Sequence, residues 1–269
     1  MKKLLLILLE LFIFMNPSVT SAQSRIIEFE APKMKVFLPP AGMSNGKAVV
    51  ACPGGGYTHL APDHEGYQWA PLFNNLGFAY AVVEYRLPDG NKNIPMDDVK
   101  RCFGILADNA AEWNIDADKI GIMGFSAGGH LASSIATHPV DGCRPAFQIL
   151  FYPVISLDAA ITHGGTRRGF LGDNPDMADV EEWSSDKKVN ASTPPAILIL
   201  CSDDKVVKPI NGIKYYNALV ENNVPAAMFV YPFGGHGWGY QSGFRQHEQM
   251  VQELTAWLKN IDYRPGSGK

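Results

Sequence analysis

Residues 124–129, Gly-Phe-Ser-Ala-Gly-Gly, set a single hydroxyl, that of Ser126, among glycines at the end of the apolar run Lys119–Met123. A serine is a weak nucleophile until a neighbouring base takes its proton, so the chain has to supply an imidazole and a group to orient it. Seven histidines are available, at 59, 64, 130, 138, 163, 236 and 247. His236 stands out because it follows the apolar run 226–233 and is flanked by Gly235 and Gly237. His130 falls in the helical pattern after Ser126 and is expected in the core, and His247 on a polar helix face in solvent. The acid should follow the preceding apolar run, 196–202, where Asp203 and Asp204 stand side by side. Asp203 is favoured because it leaves the run first and has Val206 three residues on; Asp204 is the alternative. A buried carboxylate there would fix the imidazole tautomer and stabilise the imidazolium.

Attack on a carbonyl also needs donors for the oxyanion. One is expected from the Ala127 amide, next to the nucleophile, and a second from the loop after an earlier strand. The stretch Ala-Cys-Pro-Gly-Gly-Gly-Tyr at 51–57 fits, with Gly55 or Gly56 as donor. Tyr57 and Trp238 lie close enough in sequence to these elements to be candidates for substrate contact through their rings. The competing reading of each motif, a glycine-rich turn without a role, is disfavoured by their order: nucleophile, acid and histidine, with the oxyanion loop upstream.

The elements that must hold these residues are readable as alternation. Apolar runs at 47–53, 78–85, 119–125, 146–154, 196–202 and 226–233 are rich in β-branched and aromatic residues and suit parallel strands covered on both faces. Between them lie helical patterns. In 96–113, Val99, Phe103, Leu106, Ala110 and Trp113 form one apolar face, and 211–223 and 246–260 read similarly. This predicts an α/β fold with a mostly parallel central sheet, helices on both faces and right-handed crossovers. Residues 155–195 break the rhythm and are expected as a modest insertion over the strand ends. Gly-x-Ser-x-Gly between a strand and a helix is then a nucleophile elbow.

Composition sets the outer bounds. The chain has 269 residues, 46% hydrophobic and 19% charged, with a formal net charge of −4. That balance suits one globular domain and offers no basic field for nucleic acid. Residues 1–22 combine two lysines, an apolar stretch and small residues before a plausible cut after Ala22, the layout of an export signal. The expected organisation is a signal peptide at 1–22, one domain over 23–262 and a disordered tail at 263–269, with a periplasmic or secreted destination and no membrane attachment after cleavage. Cys52, Cys102, Cys143 and Cys201 have no metal-ligand spacing; Cys52 and Cys201 are expected as small buried residues.

From about Lys47 to the final helix the chain resembles α/β-hydrolases of the acetyl esterase and acetylxylan esterase-like group. The resemblance rests on residues 53–66, the Tyr-Arg-Leu-Pro of 85–88, residues 110–133, the Leu-Phe-Tyr-Pro-Val-Ile-Ser of 150–156, Ser202–Val207 and residues 234–239. It implies Ser126 as nucleophile, Asp203 as acid, His236 as base, and the 53–57 loop with Ala127 as oxyanion hole. It also implies ester hydrolysis without metal or cofactor, on a small or oligosaccharide ester, most naturally an acetylated plant polysaccharide. Feruloyl ester cleavage, a peptidase of the prolyl-oligopeptidase type and a non-catalytic binding module are the alternatives. No particular oligomer is implied.

Overall fold

Strand-forming residues alternate between two helix layers, and that alternation builds the whole molecule. The computed structural model describes residues 24–140 and 142–261; the expected leader and tail lie outside the described residues. Eight strands form one sheet: β1 (Arg25–Glu30), β2 (Lys33–Leu38), β3 (Gly46–Cys52), β4 (Ala79–Val83), β5 (Ile115–Phe125), β6 (Gln148–Phe151), β7 (Ala196–Cys201) and β8 (Ala226–Tyr231). Their spatial order is β1-β2-β4-β3-β5-β6-β7-β8. β1 and β2 pair antiparallel, β2 pairs antiparallel with β4, and all other pairings are parallel.

The central strands bury both faces. In β3, Ala48, Val50 and Cys52 face one core while Val49 and Ala51 face the other; in β7, Leu198 and Leu200 oppose Ile197 and Ile199. The first core takes α2 (Asn93–Asp108) through Val99 and Cys102, α4 (Ser126–Thr137) through Leu131, and α7 (Ile210–Glu221) through Tyr215 and Leu219. The second takes α1 (Ala70–Asn75) through Phe73 and α8 (His247–Asn260) through Met250, Leu254 and Leu258. A short α3 (Ala110–Trp113) completes the long helical pattern after α2, ended by Asn114 in the left-handed conformation.

The six expected strands are all present. The two N-terminal strands were not expected: β1 lies at the sheet edge with its residues exposed or half-buried, and β2 buries only alternate residues, so neither has the continuous apolar run by which β3–β8 are recognised. The expected insertion carries α5 (Gly164–Leu171) and α6 (Met177–Glu182). It is pinned at its root by Asn211 of α7, whose Oδ1 accepts from the amides of Ile155 and Ser156, each at 3.1 Å. Among the described residues, no helix is long and apolar enough to cross a membrane.

Candidate active site

Three chain turns at the carboxyl ends of β5, β7 and β8 meet in one place, where ligands bind in open parallel sheets. At the end of β5, Phe125 is still extended, whereas Ser126 has φ +52° and begins α4. This left-handed backbone is costly for a serine and holds the hydroxyl clear of both strand and helix. The turn closes only because Gly128 has no side chain. A Cβ there would lie 2.1 Å from the Cys52 carbonyl oxygen and 2.4 Å from that of Pro53. The N-terminus of α4 is thereby pressed against the end of β3, with its first-turn amides free of intrahelical acceptors.

Ser126 Oγ lies 2.8 Å from His236 Nε2, and His236 Nδ1 lies 2.6 Å from Asp204 Oδ2. The carboxylate only accepts, so Nδ1 carries the proton and Nε2 is free to accept from the serine hydroxyl. Asp204 is buried, and its Oδ1 accepts from the amides of Val206 (2.8 Å) and Val207 (3.0 Å). These two amides fix the carboxylate plane toward the ring.

The preferred acid of the sequence reading, Asp203, is corrected here to its neighbour. Asp203 is exposed, and its carboxylate instead accepts from the amides of Gly234 (3.3 Å) and Gly235 (2.8 Å), so it shapes the loop leading to His236. The valine spacing could not distinguish the pair, because Asp204 also has a valine three residues on, Val207.

Gly55 and Gly56 line the same cavity as Ser126 and His236, a space of about 450 Å³. Gly55 has φ +134°, and a Cβ there would sit 2.1 Å from the His59 carbonyl oxygen, so the loop can pass only as glycine. Among the described residues, the amides of Gly55 and Gly56 donate to no protein acceptor. Ala127 follows Ser126 in the first turn of α4. Tyr85 Oη donates to the Pro53 carbonyl at 2.7 Å and anchors the start of the loop.

Two groups that the sequence reading left without a role also hold the site. Glu65 is buried; its Oε2 accepts from the Gly54 amide at 2.8 Å and its Oε1 from Tyr152 Oη at 2.7 Å. Tyr152 Oη in turn accepts from the Gly239 amide at 2.9 Å, and its ring lies 4.7 Å from that of His236. Glu65 and Tyr152 therefore tie the oxyanion loop to the histidine loop. His163 lines the cavity, and its Nδ1 accepts from the Thr166 amide at 3.2 Å, leaving Nε2 as the protonated nitrogen. Burial, aided by repulsion from His236, pushes the His163 imidazolium below its ordinary range and keeps the ring neutral.

Neither aromatic candidate for substrate contact lines the cavity at Ser126. Tyr57 is 3% exposed, stacks on Phe170 at 5.3 Å and hydrogen-bonds His130 Nδ1 at 3.0 Å, so its ring is held in the core, and it edges a neighbouring space instead. Trp238 is 5% exposed and stacks on Phe244 at 3.9 Å, with its edge toward Tyr152. It supports the histidine loop from behind. His130 is in the core as expected, with Nε2 donating to the Trp183 carbonyl at 2.9 Å. His247 is half-buried against Tyr240 rather than solvated. All four cysteines are buried free thiols; burial raises the thiol of Cys201 to about 11 and that of Cys143 to about 12.

A nucleophile-elbow turn after the fifth strand, with a carboxylate and a histidine after the seventh and eighth, is the arrangement of the α/β-hydrolase fold. Residues 34–143 match the BD-FAE family model. The chain is 31% identical to an acetyl ester-xyloside bifunctional hydrolase from Caldicellulosiruptor lactoaceticus, with a TM-score of 0.80 over 91% of this chain and 99% of that one. It is 44% identical over 85% of its length to an acetylxylan esterase from Xylanibacter ruminicola, and 35% identical over 70% to endo-1,4-beta-xylanase B from Butyrivibrio fibrisolvens. It spans 48% of the first of these curated relatives and 32% of the second. The chain belongs to the BD-FAE family of α/β-hydrolases.

Proposed function

We propose that this protein is a serine esterase that removes acetyl groups from xylan-type polysaccharides or their oligosaccharides. One observation carries the reading: the continuous Asp204–His236–Ser126 hydrogen-bond chain opens onto a cavity edged by unpaired glycine amides. Ser126 Oγ attacks the ester carbonyl carbon as its proton passes to His236 Nε2. The carbonyl oxygen becomes an oxyanion held by the amides of Ala127 and the Gly55–Gly56 loop. The carbon–oxygen bond to the sugar then breaks, and the sugar oxygen takes the proton from Nε2. Water, deprotonated by the same nitrogen, releases acetate from the acyl-serine. Asp204 stays ionised throughout and stabilises the imidazolium.

The acetyl and xylan assignment is supported by the names of the Xylanibacter and Caldicellulosiruptor relatives. The test compares acetate release from acetylated xylan with cleavage of a feruloyl ester and a peptide nitroanilide, alongside fluorophosphonate labelling. Labelling at Ser126 with preferential acetate release is expected. No label at Ser126 defeats any serine-hydrolase reading, and preference for the feruloyl or peptide substrate replaces the acetyl assignment. We also infer export, supported by the residue pattern of 1–22. N-terminal sequencing of protein recovered outside the cytoplasm should begin at Gln23, and an intact Met1 there would refute cleavage.

A further inference from the structure

The cavity at Ser126 does not end at the triad. Thr58 and Gly165 line both it and a second space of about 630 Å³ over α5. This second space lies between the loop after β4, with Leu87 and Asp89, and the insertion, with Arg168 and Asp173. The two walls are joined by the Gly90 amide, which donates to the Gly169 carbonyl at 2.7 Å. Its size falls within the roughly 300–1,000 Å³ of small-ligand pockets. Nothing in the acyl-transfer chemistry calls for it, since an acetyl group and the ring that bears it fit beside Ser126.

The lining is chemically distinctive. Asp89, Arg168 and Asp173 are exposed, and among the described residues no ion pair or side-chain hydrogen bond engages them. Lys92, three residues from Asp89, is by contrast paired with Asp179 at 3.1 Å. Two carboxylates disfavour an anionic ligand, and a guanidinium disfavours a cationic one. Neutral hydroxyls satisfy all three groups, donating to the carboxylates and accepting from the guanidinium. Leu87, 37% exposed, adds an apolar surface suited to the C–H face of a sugar ring.

We propose that this second cavity is a subsite for the sugar units adjoining the acetylated one, with Asp89, Arg168 and Asp173 as hydroxyl-binding residues. The proposal rests on the esterase reading and extends it from a small ester to a chain substrate. It is tested with acetylated xylose, acetylated xylotriose and p-nitrophenyl acetate. For the unaltered protein, kcat/KM should be about tenfold or more higher on xylotriose than on xylose, the value of one charged hydrogen bond gained. Arg168→Ala, and separately the Asp89→Ala/Asp173→Ala pair, should lower kcat/KM on xylotriose by about tenfold relative to p-nitrophenyl acetate, mainly through KM. Equal kcat/KM on xylose and xylotriose, or variants that weaken both ester types in the same proportion, would overturn the subsite. Loss of p-nitrophenyl acetate turnover in the unaltered protein would instead overturn the esterase reading itself.

Discussion

Asp203 and Asp204 are adjacent, both follow β7, and both act on the loop that carries His236, yet their tasks differ. Asp204 holds the ring and Asp203 holds the backbone amides of the two residues that precede it, Gly234 and Gly235. The difference is measurable. Asp204→Asn should lower kcat on p-nitrophenyl acetate by about 10⁴-fold, because the amide disturbs the imidazole tautomer. Asp203→Ala removes two amide contacts at an exposed position and should cost no more than about tenfold. A steady-state comparison of the two variants decides the assignment, and a larger loss at Asp203 would reverse it. Ser126→Ala should abolish fluorophosphonate labelling and lower kcat by about 10⁴-fold or more.

At the scale of elements, the site depends on how closely α4 approaches β3 and on the Glu65–Tyr152 tie. Gly128→Ala puts a methyl 2.1 Å from the Cys52 carbonyl oxygen, between rigid backbones that cannot yield cheaply. Overpacking of this kind costs about 1–3 kcal/mol, so Tm should fall by about 3–10 °C. Gly104→Ala in α2 meets nothing within 4 Å and should raise stability by about 0.5–1 kcal/mol. Thermal melts of the two variants separate close approach from simple helix propensity. Glu65→Gln supplies an NH₂ group where two donors already point, the Gly54 amide and the Tyr152 hydroxyl. It should lower kcat by about tenfold with a smaller change in KM, because the oxyanion loop and histidine loop lose their common anchor.

Across the whole molecule, the insertion is welded to the sheet through a buried imidazole. His130 on α4 bridges Tyr57 of the oxyanion loop and Trp183 of the insertion. Burial lowers its pKa from the ordinary 6.5 to about 4. Between those values the unfolded chain binds a proton that the folded chain refuses, so stability rises with pH across this window. As pH falls from about 6.5 to about 4, the protein should lose about 3 kcal/mol through this group. Denaturant melts over that range should show the loss, and His130→Gln should flatten it while lowering stability at neutral pH.

Fold class, the six strands β3–β8 and the meeting of Ser126 with His236 were legible in the residues because each rests on local signals. Continuous apolar runs mark strands buried on both faces, and glycines mark turns that exclude side chains. The edge strand β1 was not legible, since an exposed strand carries no such run. The identity of the acid, the work of Glu65 and Tyr152, and the burial of Tyr57 and Trp238 depended on distances between residues far apart in the chain. Adjacent aspartates have the same local chemistry. Only the path of the loop after β7 buries one carboxylate against the imidazole and leaves the other to the backbone.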